Sequence, residues 1–251
     1  MIELKSPQEL EIMRENANIL GRILNSLESS VNPGLTTAEL DRSAEQMVQD
    51  ANATPAFKGY QGYPSTLCTS INEEIVHGIP SDDRFLSDGD ILSMDIGLRR
   101  RGYFADAATT VPVGEIDDSL SDILNTADEA LTRAAEQVKQ GNRVSDISNT
   151  IESYVSERGY YVVKEFVGHG IGKDLHEDPQ IPNFGKSGTG ARIREGMVLA
   201  IEPMVKTDEE AVEVLDDGWT AVTHNREPSS HFEGMVAVTN GGPEILVRGG
   251  G

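Results

Sequence analysis

Cysteine is almost missing from this sequence, because Cys68 is the only one among 251 residues. A single cysteine excludes an internal disulfide and any zinc site built from several thiolates. A metal ion held by this chain would therefore have to be bound by oxygen and imidazole ligands.

Long apolar runs are missing as well. No stretch approaches the roughly 18 apolar residues that a membrane-spanning helix requires. The first ten residues, MIELKSPQEL, carry acidic side chains where a signal peptide has its apolar centre. A hydrophobic content of 37% still suffices for a substantial core. We therefore expect a globular cytoplasmic protein that does not insert into a membrane.

Basic residues are in short supply, with 21 lysines and arginines against 42 acidic residues and a formal net charge of −21. Because phosphate binding requires basic patches, this balance argues against nucleic acid as a substrate. An acidic field instead attracts cations, including metal ions and free amino termini. A solvated acidic surface without any binding role explains the same excess charge, and the sequence leaves both explanations open.

The stretch 92–111 predicts a β-hairpin that carries two aspartates in an otherwise apolar sheet. If the turn within RRRG (99–102) has its centre between residues 100 and 101, Asp95 stands directly opposite Asp106, with Cβ atoms roughly 4.5–5.5 Å apart. Like charges so placed destabilise a sheet, and an unpaired buried carboxylate is costly. A divalent cation between the two would remove the repulsion. The alternative is two aspartates on the solvent face of an edge hairpin.

Four helices are predicted from caps and apolar periodicity. Capping boxes at Ser6 and Thr36 predict the starts of two helices in the first half of the chain. Two more helices are expected in the second half, over residues 120–138 and 145–159.

The sequence contains a weak internal repeat with an offset of 107 residues. At this offset GDILSMD, which ends at Asp95, falls on GMVLAIE, which ends at Glu202. The constant offset indicates two helix-helix-strand-hairpin halves, about 6–112 and 113–247, related by a pseudo-two-fold axis. The predicted fold is α+β, with one continuous central sheet from both halves and helices on its outer face.

A second hairpin is predicted around Asp217-Gly218, a strong turn signal. In the register that this turn sets, Glu202 stands opposite Glu233. Segments 206–210 and 224–229 are expected to interrupt the ladder. Together with the first hairpin, this arrangement brings four carboxylates to the pseudo-axis.

His169 is the candidate nitrogen ligand, because glycines on both sides of it in VGHGIG allow close approach of the backbone. A lone histidine is more often a surface or packing residue, and that alternative stays open here. Four carboxylates and one imidazole suit Mn²⁺, Fe²⁺, Co²⁺ or Zn²⁺. Two such ions roughly 3.5–4 Å apart would share a water, generate a hydroxide nucleophile and polarise a carbonyl. The chemistry is that of a hydrolase.

The motifs GHGIGKDLHEDP and EGMVLAIEPMV resemble those of the type I methionine aminopeptidases, which are metallopeptidases of the pita-bread fold. The resemblance extends from Ser6 to Leu246 and implies one catalytic domain spanning residues 1–251. It implies that the initiator methionine is removed from nascent proteins and peptides whose second residue is small. A hydroxide bridging two divalent metal ions, which could be Co, Mn, Fe(II) or Zn, would attack the scissile carbonyl.

The resemblance also implies roles for the metal ligands. By position, Asp95 would chelate one metal, Asp106 and Glu233 would bridge both, and His169 and Glu202 would bind the other. Glu202 also resembles the general base of the family.

Two further histidines and a methionine pocket follow from the same resemblance. His77 matches the residue that contacts the scissile amide, and His176 matches the residue that steadies the carbonyl oxygen. The pocket for the methionine side chain would be formed by Tyr60, Tyr63, Cys68 and Trp219. Ordinary core packing is the alternative explanation for these four residues. We expect His224 and His231 to be surface or local-support residues.

The sequence departs from the family in two places. Leu175 stands where bacterial members commonly have an aromatic residue, and Gly234-Met235 replaces the usual His-Thr after Glu233. The short type I form is expected, because we find neither a zinc-finger extension nor a long helical insertion.

The implied partners are the N-terminal methionine of peptides and of nascent polypeptides, with no nucleic acid substrate and no membrane. We expect a monomer. A transient association with the ribosome stays open, but docking does not follow from the sequence, because the acidic segment 208–210 offers ribosomal RNA no basic patch.

Two other functions compete with this interpretation. A prolidase or aminopeptidase P has the same fold, but such enzymes carry a large additional N-terminal domain. A non-catalytic binding module would be expected to have lost metal ligands, and all five are present here.

Overall fold

A computed structural model describes residues 2–249 of the chain. The helices in this range are α1 (Pro7–Ser30), α2 (Thr37–Asp50), α3 (Asp118–Ala135) and α4 (Val144–Glu157). The strands are β1 (Thr54–Pro55), β2 (Leu67–Ile71), β3 (Glu74–Val76), β4 (Ile91–Arg100), β5 (Tyr103–Pro112), β6 (Tyr161–Val162), β7 (Val167–Gly170), β8 (Glu177–Pro182), β9 (Val198–Ile201), β10 (Met204–Lys206), β11 (Glu213–Val214), β12 (Ala221–Val222), β13 (Ser230–His231), β14 (Gly234–Thr239) and β15 (Gly242–Arg248). No helix within residues 2–249 is long and apolar enough to span a membrane.

Both predicted capping boxes are formed. The backbone N–H of Glu9 donates to the Ser6 hydroxyl, and the Glu9 carboxylate accepts the Ser6 N–H at 2.8 Å. Thr36 and Glu39 make the same reciprocal pair at the start of α2. Each box satisfies two backbone donors that the first helical turn leaves free, which is why the sequence located these helix starts correctly.

The internal repeat is visible in the element bounds. Helix α4 begins and ends 107 residues after α2, and β9 begins 107 residues after β4. Gly89 and Gly196, which precede the two strands at the same offset, both have positive φ angles, of 93° and 89°. The predicted offset therefore holds for the second helix and the strand of each half, whereas the starts of α1 and α3 differ by 111 residues and their ends by 105.

The first hairpin has a different register from the one predicted. Asp95 lies opposite Ala108, and Asp106 lies opposite Gly97, so the direct Asp95–Asp106 opposition is wrong by two positions. The turn is Arg101-Gly102, with φ angles of 52° and 86°. The backbone twist of a two-residue turn with positive φ at both positions matches the right-handed twist of the flanking strands. Glycine at the second position adopts this conformation easily. Because a shift of two positions preserves the face, the two aspartates remain on one side as diagonal neighbours.

The second hairpin has the predicted register. Pairs β9–β14, β10–β13 and β11–β12 share one alignment, which sets Glu202 opposite Glu233 between the first two ladders. The ladder is interrupted over residues 207–212 and 223–229, close to the expected segments.

The strands form separate hydrogen-bonded sheets where one continuous sheet was expected. Strand β4 pairs with β1, β2 and β5, whereas β15, β14, β9, β7 and β8 form a five-stranded sheet. The two are joined where the Glu233 N–H donates to the Ala108 carbonyl at 2.9 Å. The junction of the two halves is therefore the place where the four carboxylates meet.

Candidate metal centre and cavity

Each carboxylate of the cluster comes from a strand or strand end of the two central sheets. Asp95 and Asp106 lie on β4 and β5, and Glu202 and Glu233 border β9 and β14. Asp106 has room because its ladder partner is Gly97, where an added Cβ would lie 3.2 Å from Asp106 Oδ1. The backbone thus presents four acidic side chains to one point from both halves of the chain.

The geometry of this cluster suits a cation. One ligand atom from each of Asp106, His169 and Glu233 lies within 4.8 Å of the others. His169 Nε2 is 3.7 Å from Glu202 Oε1. One carboxylate oxygen each of Asp95, Asp106 and Glu233 is buried without a hydrogen-bond partner in the described structure. Buried carboxylate oxygens are rarely left unpartnered, so their donor set fits divalent metal ions.

Burial raises the pKa values of all four carboxyl groups. The pKa of Asp95 is raised to about 7 by burial. Burial, followed by the charge of neighbouring carboxylates, raises the pKa values of Asp106, Glu202 and Glu233 well above the ordinary range. Four such groups cannot all ionise together without compensation, and two divalent cations would cancel their formal charge.

His169 is held as a neutral ligand. Its Nδ1 lies 2.9 Å from the carbonyl oxygen of Gly170. Because a carbonyl only accepts, Nδ1 carries the proton and Nε2 keeps its lone pair for a metal. Burial, with a smaller contribution from His176, lowers the pKa of His169 to about 4.

The glycines around His169 are required by close packing, as the sequence predicted. An added Cβ at Gly168 would lie 2.5 Å from the Ala200 carbonyl oxygen, and one at Gly170 would collide with the backbone of Asp178. Strand β7 can therefore approach its neighbours only with glycine at these two positions.

A cavity of about 220 Å³ opens beside the cluster and brings together all 11 predicted site residues. They are Tyr60, Tyr63, Cys68, His77, Asp95, Asp106, His169, His176, Glu202, Trp219 and Glu233. Their individual roles remain predictions. Five lining residues had no assigned role in the sequence: Phe57, Gln61, Phe166, Val167 and Leu175. Phe166 and Val167 directly precede Gly168-His169 in the sequence, and this proximity to a candidate ligand could have identified them.

The apolar end of the cavity lies next to the candidate metal ligands. Cys68 is buried and lies opposite Asp95 in the β2–β4 ladder. Tyr63 is buried, directs its hydroxyl to the carbonyl oxygens of Leu67 and Gly78, and meets the Trp219 ring edge-on at 5.2 Å. Burial raises the pKa of the Cys68 thiol, so this side chain is a neutral wall.

The two candidate substrate-contacting histidines lie on different walls. His77 has a φ of 62° and packs edge-on against Phe166 at 5.3 Å. Burial, with a contribution from His176, lowers the pKa of His77 to about 4. His176 is exposed to the cavity opening, 4.4 Å from the His169 ring.

His231 is not a surface residue, which was one of the two roles expected for it. It is buried, and neither ring nitrogen has a hydrogen-bond partner in the described structure. Burial lowers its pKa to about 3. Its strand, β13, is covered because it pairs with β10 and contacts β5, which the sequence alone does not show. His224 is exposed, as expected, with Nδ1 2.8 Å from Glu213.

The departure at Gly234-Met235 has a structural explanation. An added Cβ at Gly234 would lie 2.8 Å from the Val247 carbonyl oxygen. The Met235 sulfur accepts the backbone N–H of Asp106 at 3.2 Å. A thioether thus supports the backbone of this candidate ligand. Leu175, the other departure, is buried and lines the cavity.

A buried ion pair holds the loop that carries His176. Lys5 pairs with Glu177, whose other carboxylate oxygen accepts the Lys173 N–H at 2.8 Å. The two paired side chains are only 4% and 8% exposed. Gly172 lies against both of them, and an added Cβ there would collide. The N-terminal segment therefore clamps residues 172–177.

Substituting Lys5→Met is expected to lower the free energy of unfolding by about 3–5 kcal/mol, because it leaves Glu177 buried without its cation. Chemical denaturation of the metal-loaded protein measures the change. Lys58→Met is the matched control, since Lys58 pairs with Glu45 at 46% side-chain exposure and should cost about 0–1 kcal/mol. Equal losses in the two variants would contradict the clamp.

Comparison with known proteins identifies the family. The model of metallopeptidase family M24 matches residues 11–240. The methionine aminopeptidase of Clostridium acetobutylicum is 47% identical over 246 residues, which cover 98% of both chains. Methionine aminopeptidase 1 of Bacillus subtilis is 46% identical, over 99% of this chain and 100% of its own length.

Solved structures agree with the sequence matches. The methionine aminopeptidase of Thermotoga maritima superimposes with a TM-score of 0.96 at 41% identity, covering 98% of this chain and 99% of that one. A Xaa-Pro dipeptidase from Bacillus anthracis has a TM-score of 0.78 at 24% identity, but only 61% of its chain is covered. The dipeptidase shares the fold alone. The predicted pita-bread fold is confirmed, and the chain belongs to metallopeptidase family M24.

Proposed function

We propose that this protein is a methionine aminopeptidase that hydrolyses the first peptide bond of nascent proteins and peptides whose second residue is small. The supporting observation is one cavity with two chemically different ends. At one end lie the carboxylates and His169, and at the other an apolar pocket with Tyr63, Cys68 and Trp219. Such a site suits a thioether side chain beside a charged amino terminus.

Membership of a metallopeptidase family implies that the protein uses a divalent metal. We propose two ions, of Co, Mn, Fe(II) or Zn, held by Asp95, Asp106, His169, Glu202 and Glu233. When bound, they would lower the pKa of a water and polarise the scissile carbonyl. This donor set of oxygens with one nitrogen leaves the choice among these metals open.

The protein side chains would move the protons and hold the substrate. Glu202 is the proposed general base, because it contacts the cavity and burial favours its protonated form after it takes a proton from water. His176 would donate a hydrogen bond to the carbonyl oxygen as charge develops there. His77 would contact the scissile amide. One catalytic domain made of two halves, about 6–112 and 113–247, supplies all three groups.

The expected setting follows from the substrate. Initiator methionine is exposed on chains leaving the ribosome, so we place the protein in the cytoplasm, where nascent chains are its substrates. We also propose that it acts as a monomer. The net charge of −21 favours a free, positively charged amino terminus over nucleic acid.

Blocking the amino terminus is expected to slow cleavage strongly. Formyl-Met-Ala-Ser should be hydrolysed at least roughly 10²-fold more slowly than Met-Ala-Ser, because the formyl group removes the positive charge and adds bulk beside the carboxylates. Product release measured by chromatography gives both rates. Equal rates would show that the site does not recognise the amino terminus, and rapid cleavage of Xaa-Pro peptides would favour the prolidase alternative.

A further inference from the structure

Tyr60 makes a hydrogen bond that its predicted role in the methionine pocket does not explain. Its hydroxyl oxygen lies 2.8 Å from Nδ1 of His176, and the two rings are 5.3 Å apart. The contact joins residues 116 positions apart in the sequence, one from each half of the chain. Within residues 2–249, Tyr60 is the only hydrogen-bond partner of the His176 ring.

The conformation of the loop around Tyr60 fixes the position of the Tyr60 side chain beside His176. Gly59, Gln61 and Gly62 all have positive φ angles, of 86°, 49° and 95°. The Gly59 N–H donates to the Tyr63 carbonyl at 2.7 Å and closes the loop. Gln61 adopts a conformation that costs energy for a non-glycine residue, so the surrounding structure must impose it.

The hydrogen bond has a chemical consequence at the other ring nitrogen. A neutral imidazole has one donor and one acceptor nitrogen, and the partner of one nitrogen determines which carries the proton. A phenol is the stronger donor of this pair, so the Tyr60 hydroxyl donates to Nδ1. The proton of His176 then resides on Nε2, the one ring nitrogen left free for a substrate carbonyl oxygen.

We infer that Tyr60 is a positioning residue that holds His176 in the tautomer protonated on Nε2 and thereby makes it a hydrogen-bond donor. The opposite tautomer would present a lone pair to the carbonyl oxygen and would repel the developing charge. The benefit for catalysis rests on the proposed function, since the role of His176 does. The tautomer itself does not depend on it.

Nitrogen NMR of the Zn²⁺-loaded protein tests the tautomer directly. The chain has five histidines, and the signals of His176 are those lost in His176→Ala. At a pH of about 8, where ordinary histidines are neutral, wild-type His176 should show a protonated Nε2 and an unprotonated Nδ1. Tyr60→Phe keeps the ring but removes the hydroxyl, so the Nδ1 signal should shift and the tautomers should mix.

Tyr63→Phe is the matched control for the spectrum, because within residues 2–249 the Tyr63 hydroxyl donates to the carbonyl oxygens of Leu67 and Gly78 and not to His176. It should leave the His176 signals unchanged. A wild-type His176 protonated on Nδ1, or signals that do not change in Tyr60→Phe, would overturn the inference.

Kinetics then test the consequence. Tyr60→Phe should lower kcat roughly three- to tenfold with little change in KM, and should have no further effect in a His176→Ala background. Equal losses in both backgrounds would overturn the positioning role. If the wild-type protein does not cleave methionyl peptides at all, the proposed function fails while the NMR result still decides the tautomer.

Discussion

Substitution of His176 by alanine is expected to lower kcat by roughly 10²–10³-fold with little change in KM, as loss of one donor to a developing oxyanion does. The metal content should stay near the wild-type value, because His176 is not among the five residues proposed to hold the metal ions. Steady-state kinetics with Met-Ala-Ser and metal analysis of the same sample measure both quantities.

His169→Ala is the matched comparison seven residues away in the same motif. It removes a nitrogen whose lone pair faces the carboxylates, so metal occupancy and turnover should fall together. Both variants should then be titrated with Mn²⁺ or Co²⁺ while turnover is followed. If excess metal rescues His176→Ala, that residue is a ligand or supports one, and the role proposed for it is wrong.

Removal of the metal is expected to abolish activity and to lower the melting temperature, with Mn²⁺, Co²⁺ or Fe²⁺ restoring both. A ligand that binds only the folded state raises the free energy of unfolding, and the increase grows with the logarithm of the ratio of ligand concentration to Kd. Without a cation, the orphaned oxygens of Asp95, Asp106 and Glu233 have no partner to offset their burial. Full activity after exhaustive chelation would refute the metal site.

The melting temperature after chelation should also depend on pH. Burial raises the pKa of Asp95 to about 7, whereas an unfolded aspartate has a pKa of about 3.9. Between these values folded Asp95 binds more protons than unfolded Asp95, so its contribution to stability falls as the pH rises through this window. Asp106, Glu202 and Glu233, whose pKa values are also raised, act in the same direction.

Metal binding requires deprotonated ligands and should reverse this trend. The difference in melting temperature between the loaded and the chelated protein is therefore expected to widen from pH 5 to pH 8. Thermal denaturation at several pH values measures it. A difference that stays constant or narrows would contradict ionisation of these carboxyls on metal binding.

The sequence by itself determined the features that depend on short-range chemistry and on spacing. The capping boxes at Ser6 and Thr36 located two helices, because a cap is satisfied within four residues. The offset of 107 residues located the repeat, since both halves bury the same apolar pattern. The face shared by Asp95 and Asp106 also followed from the sequence, because strand side chains alternate with a period of two.

Only the tertiary structure decided which distant atoms meet. The register of the first hairpin depended on the positive φ angles of Arg101-Gly102, which the run of arginines does not reveal. His231 was buried by strands far from it in sequence, and Tyr60 found Nδ1 of His176 across 116 residues. Contacts between residues so far apart in sequence depend on how the whole chain packs, and the local sequence pattern around each residue is compatible with several such contacts.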